Sequence, residues 1–316
     1  MQDQMNNPVI KSIKNDVFGV TLVINSICNQ KCSYCPPILH KGIFPQIESE
    51  IFINFFKNLC SDNPYIADRP QRKITITGGE PSLYKNVVEV MKCLKSLGFL
   101  IALNTNLNNN MEFLNTSSDY IDTLYPSFHP RYANIEHFKR VIDIFINKNK
   151  HVELHILMDP QHWDTALKAS AAFFDYKNIT VNHKGILDKN NLKKNFVSNY
   201  SEEQITFIKN FPSNRKYNIN DFIEVEYFDG RKVPFNGQEI LANKDYNFAG
   251  ISCNAGKNAL MIKENGTVWG SSCKARYFGD LHQTPNLRIK LFNTPVLCHK
   301  NTCSILCDMK IQKSYA

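Results

Sequence analysis

The sequence predicts an α/β fold, in which parallel β-strands alternate with covering helices, and three observations support this prediction. Strand-like and helix-like patterns alternate from about residue 18 to residue 183. Repeated β-α units of this kind form a parallel sheet covered by helices. Residue types suited to chemistry follow directly after several predicted strands, as expected where the carboxyl ends of parallel strands share one edge. The 43% hydrophobic content is ample for a buried core.

Each element has its own local pattern. Residues 19–25 form an apolar run typical of a buried strand, and residues 135–146 have apolar side chains at the spacing of an amphipathic helix. Gly98 ends the helix predicted before it. The predicted strands are residues 19–25, 73–77, 99–104, 122–128, 151–158 and 178–183. The predicted helices are residues 50–60, 84–97, 135–146 and 164–174.

The regular alternation ends near residue 183, which defines the predicted organisation of the chain. Residues 184–250 are rich in Asn, Lys and Tyr, and residues 225–233 favour a hairpin around an Asp-Gly turn. The predicted division is a core of residues 1–183, an insertion or linker of residues 184–250, and a cysteine-rich C-terminal region of residues 251–316.

The composition argues against several classes of protein. The N-terminus is polar and has no apolar stretch of a signal peptide, and no apolar run reaches the roughly 18 residues of a membrane span. Ten clustered cysteines without a secretion signal favour metal binding over a disulfide framework. The expected compartment is therefore the reducing cytoplasm, and no membrane partner is expected.

The chain carries a net charge of +8, and part of the excess lies between residues 184 and 216. Either this stretch is a solvated basic face, or it attracts an anionic partner such as a phosphorylated metabolite or an acidic peptide. The chain has no aromatic-interleaved basic motif of a nucleic-acid-binding module. A nucleic acid is therefore not the expected partner.

The most specific motif lies directly after the first predicted strand, where three and two residues separate Cys28, Cys32 and Cys35. Iron–sulfur clusters usually have four cysteine ligands, so a three-cysteine site leaves one iron open to an outside ligand, as a catalytic metal requires. A zinc site is the alternative, but a structural zinc ion needs four ligands. The nearest fourth candidate is His40, and two prolines stiffen the chain between it and Cys35.

A second motif, Gly78-Gly79-Glu80-Pro81, closes the strand predicted at residues 73–77. Together the two motifs resemble the radical S-adenosylmethionine (radical SAM) superfamily. In that superfamily the amino and carboxylate groups of SAM supply the missing ligand. The cluster passes one electron to SAM, and a 5′-deoxyadenosyl radical results. The resemblance implies a partial (β/α)6 TIM barrel over about residues 17–183.

The resemblance also implies roles for individual residues. The implied ligands of a catalytic [4Fe-4S] cluster are Cys28, Cys32 and Cys35. The implied SAM-binding residues are Tyr34 beside the adenine, Gly78 and Gly79 at the methionine amino group, Glu80 as the residue that orients this turn, and Asn104, Asn106 and Ser127 at the ribose and carboxylate. We further expect His155 and Asp159 to face the substrate.

Five cysteines near the C-terminus form a second group, and they are Cys253, Cys273, Cys298, Cys303 and Cys307. Residues 259–269 predict a hairpin that carries the first two of these cysteines at its ends. This region resembles the twitch or shortened SPASM region of radical SAM enzymes, which holds auxiliary [4Fe-4S] clusters. The full SPASM form needs seven or more cysteines, so we expect one auxiliary cluster, with one cysteine left over or one iron left open. The sequence does not choose among the last three cysteines, and a structural zinc site is the alternative.

The expected function is reductive cleavage of SAM followed by hydrogen abstraction from a substrate carbon, with two-electron oxidation or oxidative bond formation as the outcome. The alternatives are redox-neutral epimerisation with a cysteine as hydrogen donor, maturation of a ribosomal peptide, and a non-catalytic iron–sulfur electron carrier. The expected reductant is a flavodoxin or ferredoxin. Only about 17 residues precede the first strand, too few for a leader-binding domain, which favours a small molecule or a peptide bound without such a domain.

Overall fold

Two β-sheets, and helices packed on one of them, make up the architecture. The computed structural model describes residues 10–108, 111–186, 199–210, 223–235, 240, 247–301, 303 and 306–315. Most of the basic stretch predicted between residues 184 and 216 lies outside the described residues. Within the described part of the chain, no helix has the length and apolarity that crossing a membrane requires.

The strands are β1 (Ile10–Asn15), β2 (Val17–Val23), β3 (Gln71–Thr77), β4 (Leu100–Thr105), β5 (Thr123–Phe128), β6 (His151–Leu157), β7 (Ile179–Lys184), β8 (Ile223–Tyr227), β9 (Lys232–Pro234), β10 (Ser252–Cys253), β11 (Ala259–Ile262), β12 (Thr267–Trp269), β13 (Tyr277–Asp280), β14 (Val296–Leu297) and β15 (Lys313–Ser314). The helices are α1 (Ser49–Asp62), α2 (Val87–Ser96), α3 (Met111–Ser118), α4 (Ile135–Asn147), α5 (Trp163–Phe174), α6 (Glu202–Asn210) and α7 (Leu306–Met309).

Strands β2 to β7 lie side by side in chain order and are all parallel, which confirms the predicted α/β fold. The sheet is open, with β7 and β13 as its edges, so its described strands form a partial barrel rather than a closed one. Helices α1, α2, α4 and α5 match the predicted periodicity. Helix α3 was not predicted because its sequence is rich in polar residues, and it forms where it packs against α2 and α4.

The two faces of the main sheet differ in polarity. Alternate residues, such as Ile74 and Ile76 of β3 or Leu124 and Phe128 of β5, are buried in the core with the helices. Because side chains alternate along a strand, the residues between them point to the opposite face, which we call the inner face. Side chains available to a ligand on this face therefore come from every second position of each strand.

The second sheet has the order β14-β10-β15-β1-β8-β9 and joins distant parts of the chain. Strand β1, which the sequence pattern did not reveal, pairs antiparallel with β8 and with β15. The hairpin predicted at residues 225–233 is present as β8 and β9. This sheet takes strands from all three predicted segments of the chain, and the predicted division at residues 183 and 250 stays a prediction.

The hairpin predicted at residues 259–269 is present as β11 and β12, and it extends the main sheet. Strand β11 pairs in parallel with β2, with Ala259 opposite Gly19 and Ile262 opposite Leu22. Strands β12 and β13 then continue the sheet antiparallel. The C-terminal hairpin therefore forms one continuous sheet with the parallel core.

Asn63 connects the core to a C-terminal segment. It follows α1, is 2% exposed, and donates from Nδ2 to Ile289 O at 2.9 Å. Its Oδ1 accepts from Leu291 N at 2.8 Å. Both partners belong to a segment whose apolar side chains are buried in the main core. One buried side-chain amide therefore provides hydrogen-bond partners for two backbone groups that lie outside regular secondary structure.

We predict that Asn63→Ala lowers the free energy of unfolding by about 2–4 kcal/mol, because two buried backbone groups lose their partner. Denaturant unfolding of the purified protein measures this change. Asn54→Ala, at an exposed position of α1, is the control and is expected to shift stability by less than about 0.5 kcal/mol. Equal effects of the two substitutions would contradict the role assigned to Asn63.

Candidate active site

The three-cysteine loop leaves the carboxyl end of β2 and is closed at its base. Gly42 N donates to Ser26 O at 2.9 Å, and Ile27 and Lys41 form an isolated β-bridge. Inside the loop, Cys35 N donates to Cys32 O at 3.1 Å, which makes a tight turn between these two cysteines. The three thiols are therefore presented by a loop with fixed ends, at the edge where parallel barrels place their chemistry.

The Gly-Gly-Glu turn after β3 docks directly against this loop. Gly79 N donates to Asn25 O at 3.1 Å, Glu80 N donates to Ile27 O at 2.7 Å, and Asn25 Nδ2 donates back to Glu80 O at 2.9 Å. A Cβ at Gly79 would lie 2.2 Å from Ile27 O and 2.3 Å from Leu39 O. The close approach of the cysteine-loop backbone thus requires a residue without a side chain at position 79. Contact of the two glycines with SAM stays a prediction.

The Glu80 carboxylate is 1% exposed and is held by four hydrogen bonds. Oε1 accepts from Ser82 N at 3.1 Å, Ser82 Oγ at 2.6 Å and Thr105 Oγ1 at 2.8 Å. Oε2 accepts from Asn106 N at 2.7 Å. Hydrogen bonds to an ionised group are stronger than neutral ones. Glu80 therefore fixes the turn after β3 to the end of β4, and its role in SAM binding stays a prediction.

Asn106 continues this connection back to the cysteine loop. Its Nδ2 donates to Asn29 Oδ1 at 2.8 Å and lies 3.7 Å from Cys28 Sγ. Asn29 Nδ2 in turn donates to Asn108 O at 3.0 Å. Burial raises the pKa of the Cys28 thiol, and the nearby Glu80 charge raises it further, whereas the contact with Asn106 lowers it. Asn106 is thus placed beside a predicted cluster ligand.

Tyr34 and Cys32 both contact His129, which follows β5. The Tyr34 hydroxyl and His129 Nδ1 are 2.8 Å apart, and the two rings are stacked with centroids 5.9 Å apart. Cys32 Sγ lies 3.5 Å from the same nitrogen. A hydrogen bond from Cys35 and the contact with His129 lower the pKa of Cys32 to about 4, against the effect of burial. These contacts therefore stabilise the thiolate form of Cys32, which is the form that ligates a metal.

The chemistry of this donor set fits an iron–sulfur cluster. Three thiols share one loop, the contacts of Cys32 lower its pKa, and amide and imidazole groups line the loop. No three cysteine, histidine or carboxylate side chains converge on a single-metal geometry within the described residues. A cluster binds its thiolates through separate irons, so its ligands do not need to converge on one point.

The remaining predicted residues fall in two places. Asn104 on β4 pairs with Tyr125 on β5, and Ser127 pairs with His155, so all four lie on the inner face. Asp159 instead caps the turn after β6, because its carboxylate accepts from Gln161 N at 3.0 Å and contacts His162 Nδ1 at 3.1 Å. Contact of these residues with SAM or a substrate stays a prediction.

The C-terminal cysteines come from separate segments. Cys253 lies on β10 and Cys298 follows β14 in the second sheet, whereas Cys273 follows β12 of the main sheet. Burial raises the pKa of Cys253, and the charges of Cys298 and Cys273 add to this effect. Burial raises the pKa of Cys303 to about 12, and the charges of Cys253 and Cys298 contribute. Four cysteines therefore lie close enough for their charges to interact within one group, and they are Cys253, Cys273, Cys298 and Cys303. The fifth, Cys307 on α7, hydrogen-bonds Thr21 on the inner face of β2.

A buried lysine accompanies this group of thiols. Lys313 is 2% exposed and pairs with Cys253 in the second sheet. Its Nζ donates to the carbonyl oxygens of Asp308, Met309 and Ile311 at 2.6, 3.1 and 2.9 Å. Its charge lowers the pKa of Cys253 and of Cys303 against the larger effect of burial. This ammonium donates to three carbonyl oxygens and lies 5.3 Å from the centroid of the Phe248 ring, so its charge is available to balance anionic thiolates and the site also fits an iron–sulfur cluster.

Sequence reasoning missed three residues of the site, which are Asn25, Asn29 and His129. His129 could have been predicted, since it directly follows the strand predicted at residues 122–128, at whose end Ser127 lies. Asn25 is a buried polar residue at the end of an apolar strand, and such a residue needs a partner. Which backbone groups it would satisfy depends on the docking of two loops, and the sequence does not contain that information. The two further cysteines, Cys60 and Cys93, lie half-buried on α1 and α2.

Comparison with known proteins gives local sequence similarity to one group of enzymes. No family model matches the chain. A GTP 3′,8-cyclase of Mannheimia succiniciproducens is 26% identical over 102 residues, which is 32% of this chain and 29% of the relative. A GTP 3′,8-cyclase of Haemophilus ducreyi is 35% identical over 89 residues, which is 27% of this chain and 24% of the relative. The matches thus span less than a third of the length of these curated relatives.

Solved structures share the fold over most of the chain. Native anSMEcpe with bound AdoMet has a TM-score of 0.53 at 16% identity, covering 88% of this chain and 80% of that one. Streptococcus suis SuiB bound to S-adenosylmethionine has a TM-score of 0.52 at 12% identity, covering 84% and 64%. The chain thus has local sequence similarity to GTP 3′,8-cyclases, and it shares the fold of these two structures, both of which hold S-adenosylmethionine.

Proposed function

We propose that this protein cleaves SAM reductively and abstracts a hydrogen atom from a carbon of its substrate, and that two-electron oxidation or oxidative bond formation follows. The observation that carries the proposal is the docked pair of motifs, in which three thiols lie beside a turn fixed by a buried carboxylate. A non-catalytic electron carrier would not need this turn.

When bound, a [4Fe-4S] cluster with SAM supplies the 5′-deoxyadenosyl radical. Cys28, Cys32 and Cys35 would hold the cluster. Glu80 and Asn106 hold the loops after β3 and β4 in place around it, so that a bound SAM meets a fixed edge. Cofactor enzymes in general leave the difficult chemistry to the cofactor and use the protein for orientation and exclusion of water.

The C-terminal cysteines support an electron acceptor for the oxidative outcome. Cys253, Cys273, Cys298 and Cys303 would supply the four protein ligands of a second [4Fe-4S] cluster, and Lys313 would balance part of its charge. A cluster ligated entirely by protein has no open iron for substrate, which favours electron transfer over substrate ligation. The reductant that starts the cycle is proposed to be a flavodoxin or ferredoxin.

Redox-neutral epimerisation is the second candidate, and Cys307 is the observation that favours it. Its thiol hydrogen-bonds Thr21 on the inner face, where a substrate would lie. A thiol at that position is able to return a hydrogen atom to a substrate radical. The substrate is proposed to be a small molecule or a peptide. The peptide option gains support from anSMEcpe bound to AdoMet and a Cp18Cys peptide, which shares the fold at a TM-score of 0.51 and 14% identity.

Anaerobic reconstitution is expected to give about eight irons per chain, since two four-iron clusters are proposed. Changing Cys28, Cys32 and Cys35 together to Ala should leave about four irons, and so should changing Cys253 and Cys303 together to Ala. Iron and sulfide analysis with electron paramagnetic resonance measures both. Cys60→Ala is the control and should keep all eight. Stoichiometric zinc with little iron would contradict the proposal.

Glu80→Gln is expected to weaken SAM binding about tenfold, because an amide cannot accept hydrogen bonds at both of its ends and the turn loses about 1–3 kcal/mol of hydrogen bonding. Titration of the reconstituted protein with SAM measures this affinity. Glu89→Gln, on the exposed face of α2, makes the same chemical change and should leave the affinity unaltered. Glu80→Gln with normal SAM affinity would show that the buried carboxylate does not shape the site.

With dithionite, the reconstituted protein should convert SAM to 5′-deoxyadenosine and methionine, and the triple variant of Cys28, Cys32 and Cys35 should not. Mass spectrometry of a candidate substrate in heavy water then separates the two outcomes. Oxidation removes two hydrogens, whereas epimerisation keeps the formula and adds one deuterium. Cys307→Ala should leave an oxidation intact and abolish an epimerisation. A protein with intact clusters that never forms 5′-deoxyadenosine would favour the carrier function instead.

A further inference from the structure

A connected group of polar side chains occupies the inner face between β3 and β7, and the function proposed above does not use it. Its members are Lys73, Tyr125, Glu153, His155, Asn182 and Lys184. They come from β3, β5, β6 and β7, so the sheet itself assembles them. Polar groups at such positions require either one another or a ligand as partners.

Lys184 is the last residue of β7, so it lies at the same edge of the sheet as the cysteine loop. Its Nζ lies 3.1 Å from His155 Nδ1. An ammonium only donates, so Nδ1 is the acceptor and the imidazole carries its proton on Nε2. That nitrogen donates to Glu153 Oε1 at 3.1 Å. Burial lowers the pKa of His155 to about 4, and the Lys184 charge adds to this, which keeps the ring neutral.

Glu153 is shared among several donors. Asn182 Nδ2 donates to the same Oε1 at 2.5 Å. Against burial, which raises it, the hydrogen bond from His155 and the charges of Lys184 and Lys310 bring the pKa of Glu153 down to about 2. The carboxylate therefore fixes the imidazole, and the imidazole in turn fixes the ammonium of Lys184.

A second ammonium reaches this group from β3. Lys73 Nζ lies 3.5 Å from the Tyr125 hydroxyl and 5.9 Å from the centroid of its ring. The Tyr125 ring stacks on His155 with centroids 5.7 Å apart and an interplanar angle of 11°. Lys73 is thus partly buried against a neutral ring, whereas Lys184 contacts the neutral His155 ring and has the charge of Glu153 nearby.

The charge of the group is therefore unbalanced. Lys73 and Lys184 carry two positive charges, Glu153 carries one negative charge, and the imidazole is neutral. Lys310 adds a further positive charge within electrostatic range of Glu153 and Lys184. Glu153 balances one of these positive charges, and an anion placed against the remaining ammonium would offset the free-energy cost of its partial burial.

We propose that Lys184 and Lys73 form a binding site for an oxyanion of the substrate, either a carboxylate or a phosphate group. Lys184 is the contact residue at the carboxyl edge, and His155 and Glu153 are positioning residues that hold its ammonium in place. An ammonium binds both kinds of oxyanion as a point charge. This inference rests on the proposed function, since it names the chemical class of the substrate that the inner face takes.

Equilibrium dialysis of radiolabelled inorganic phosphate against the reconstituted protein saturated with SAM tests the site. One phosphate per chain is expected to bind, and Lys184→Met should weaken its binding at least tenfold. Lys184→Arg keeps the charge and should retain most of the affinity. Lys177→Met removes an exposed lysine just before β7 and should change nothing. Competition with acetate and with methyl phosphate then distinguishes a carboxylate site from a phosphate site.

Three results would overturn the inference. They are the absence of phosphate binding to the unmodified protein, unchanged binding to Lys184→Met, and displacement of phosphate by SAM together with loss of SAM affinity in Lys184→Met. The last result would assign the lysine to the cofactor. If Lys184→Met does not fold, Lys73→Met should weaken phosphate binding and serves as the second variant. Formation of 5′-deoxyadenosine is measured separately, so failure of this site and failure of the proposed function remain distinguishable.

Discussion

The buried carboxylate of Glu80 is the constraint on which the predicted catalytic edge depends. Its side chain accepts from the loop after β4, while the backbone on either side of it bonds to the loop after β2. Three consecutive strand ends are thereby fixed relative to one another. A carboxylate with 1% exposure is tolerable only because four donors surround it. Burial of this carboxylate costs free energy unless all of its donors are in place. Because only one arrangement of the loops supplies these donors, the carboxylate makes that arrangement specific.

The positions of the two groups of cysteines can be compared along strand β2. The three-cysteine loop leaves its carboxyl end, and Asn15, just before its amino end, donates to Lys310 O at 2.6 Å. The seven residues of β2 span roughly 23 Å at about 3.3 Å per residue. Cys253 pairs with Lys313, which pairs with Ile13 of β1, so Cys253 lies toward the amino end of β2. Cys307 instead contacts Thr21, nearer the carboxyl end of β2 and the three-cysteine loop.

Much of the fold was predictable from the sequence, because β2 to β7 and four helices have strong local periodicity. Strand β1 and helix α3 were missed for the opposite reason: their sequences are polar or short, and their partners lie far away along the chain, at β8 and β15 in the case of β1. The parallel pairing of β11 with β2 joins residues more than 230 positions apart. No local pattern encodes such a contact. Of the site, the cysteines and the turn were predictable, whereas His129 and Asn25 depend on how loops dock.

Glycine shows how a motif and its physical reason differ. The position of the Gly-Gly turn after a strand predicts that its backbone approaches SAM closely. The structure adds a requirement that precedes any ligand, because a Cβ at Gly79 would overlap the carbonyl oxygens of Ile27 and Leu39. The glycine therefore permits the cysteine loop to dock on the turn. The packing of the cysteine loop is therefore sufficient to require glycine at this position, whether or not SAM also approaches it.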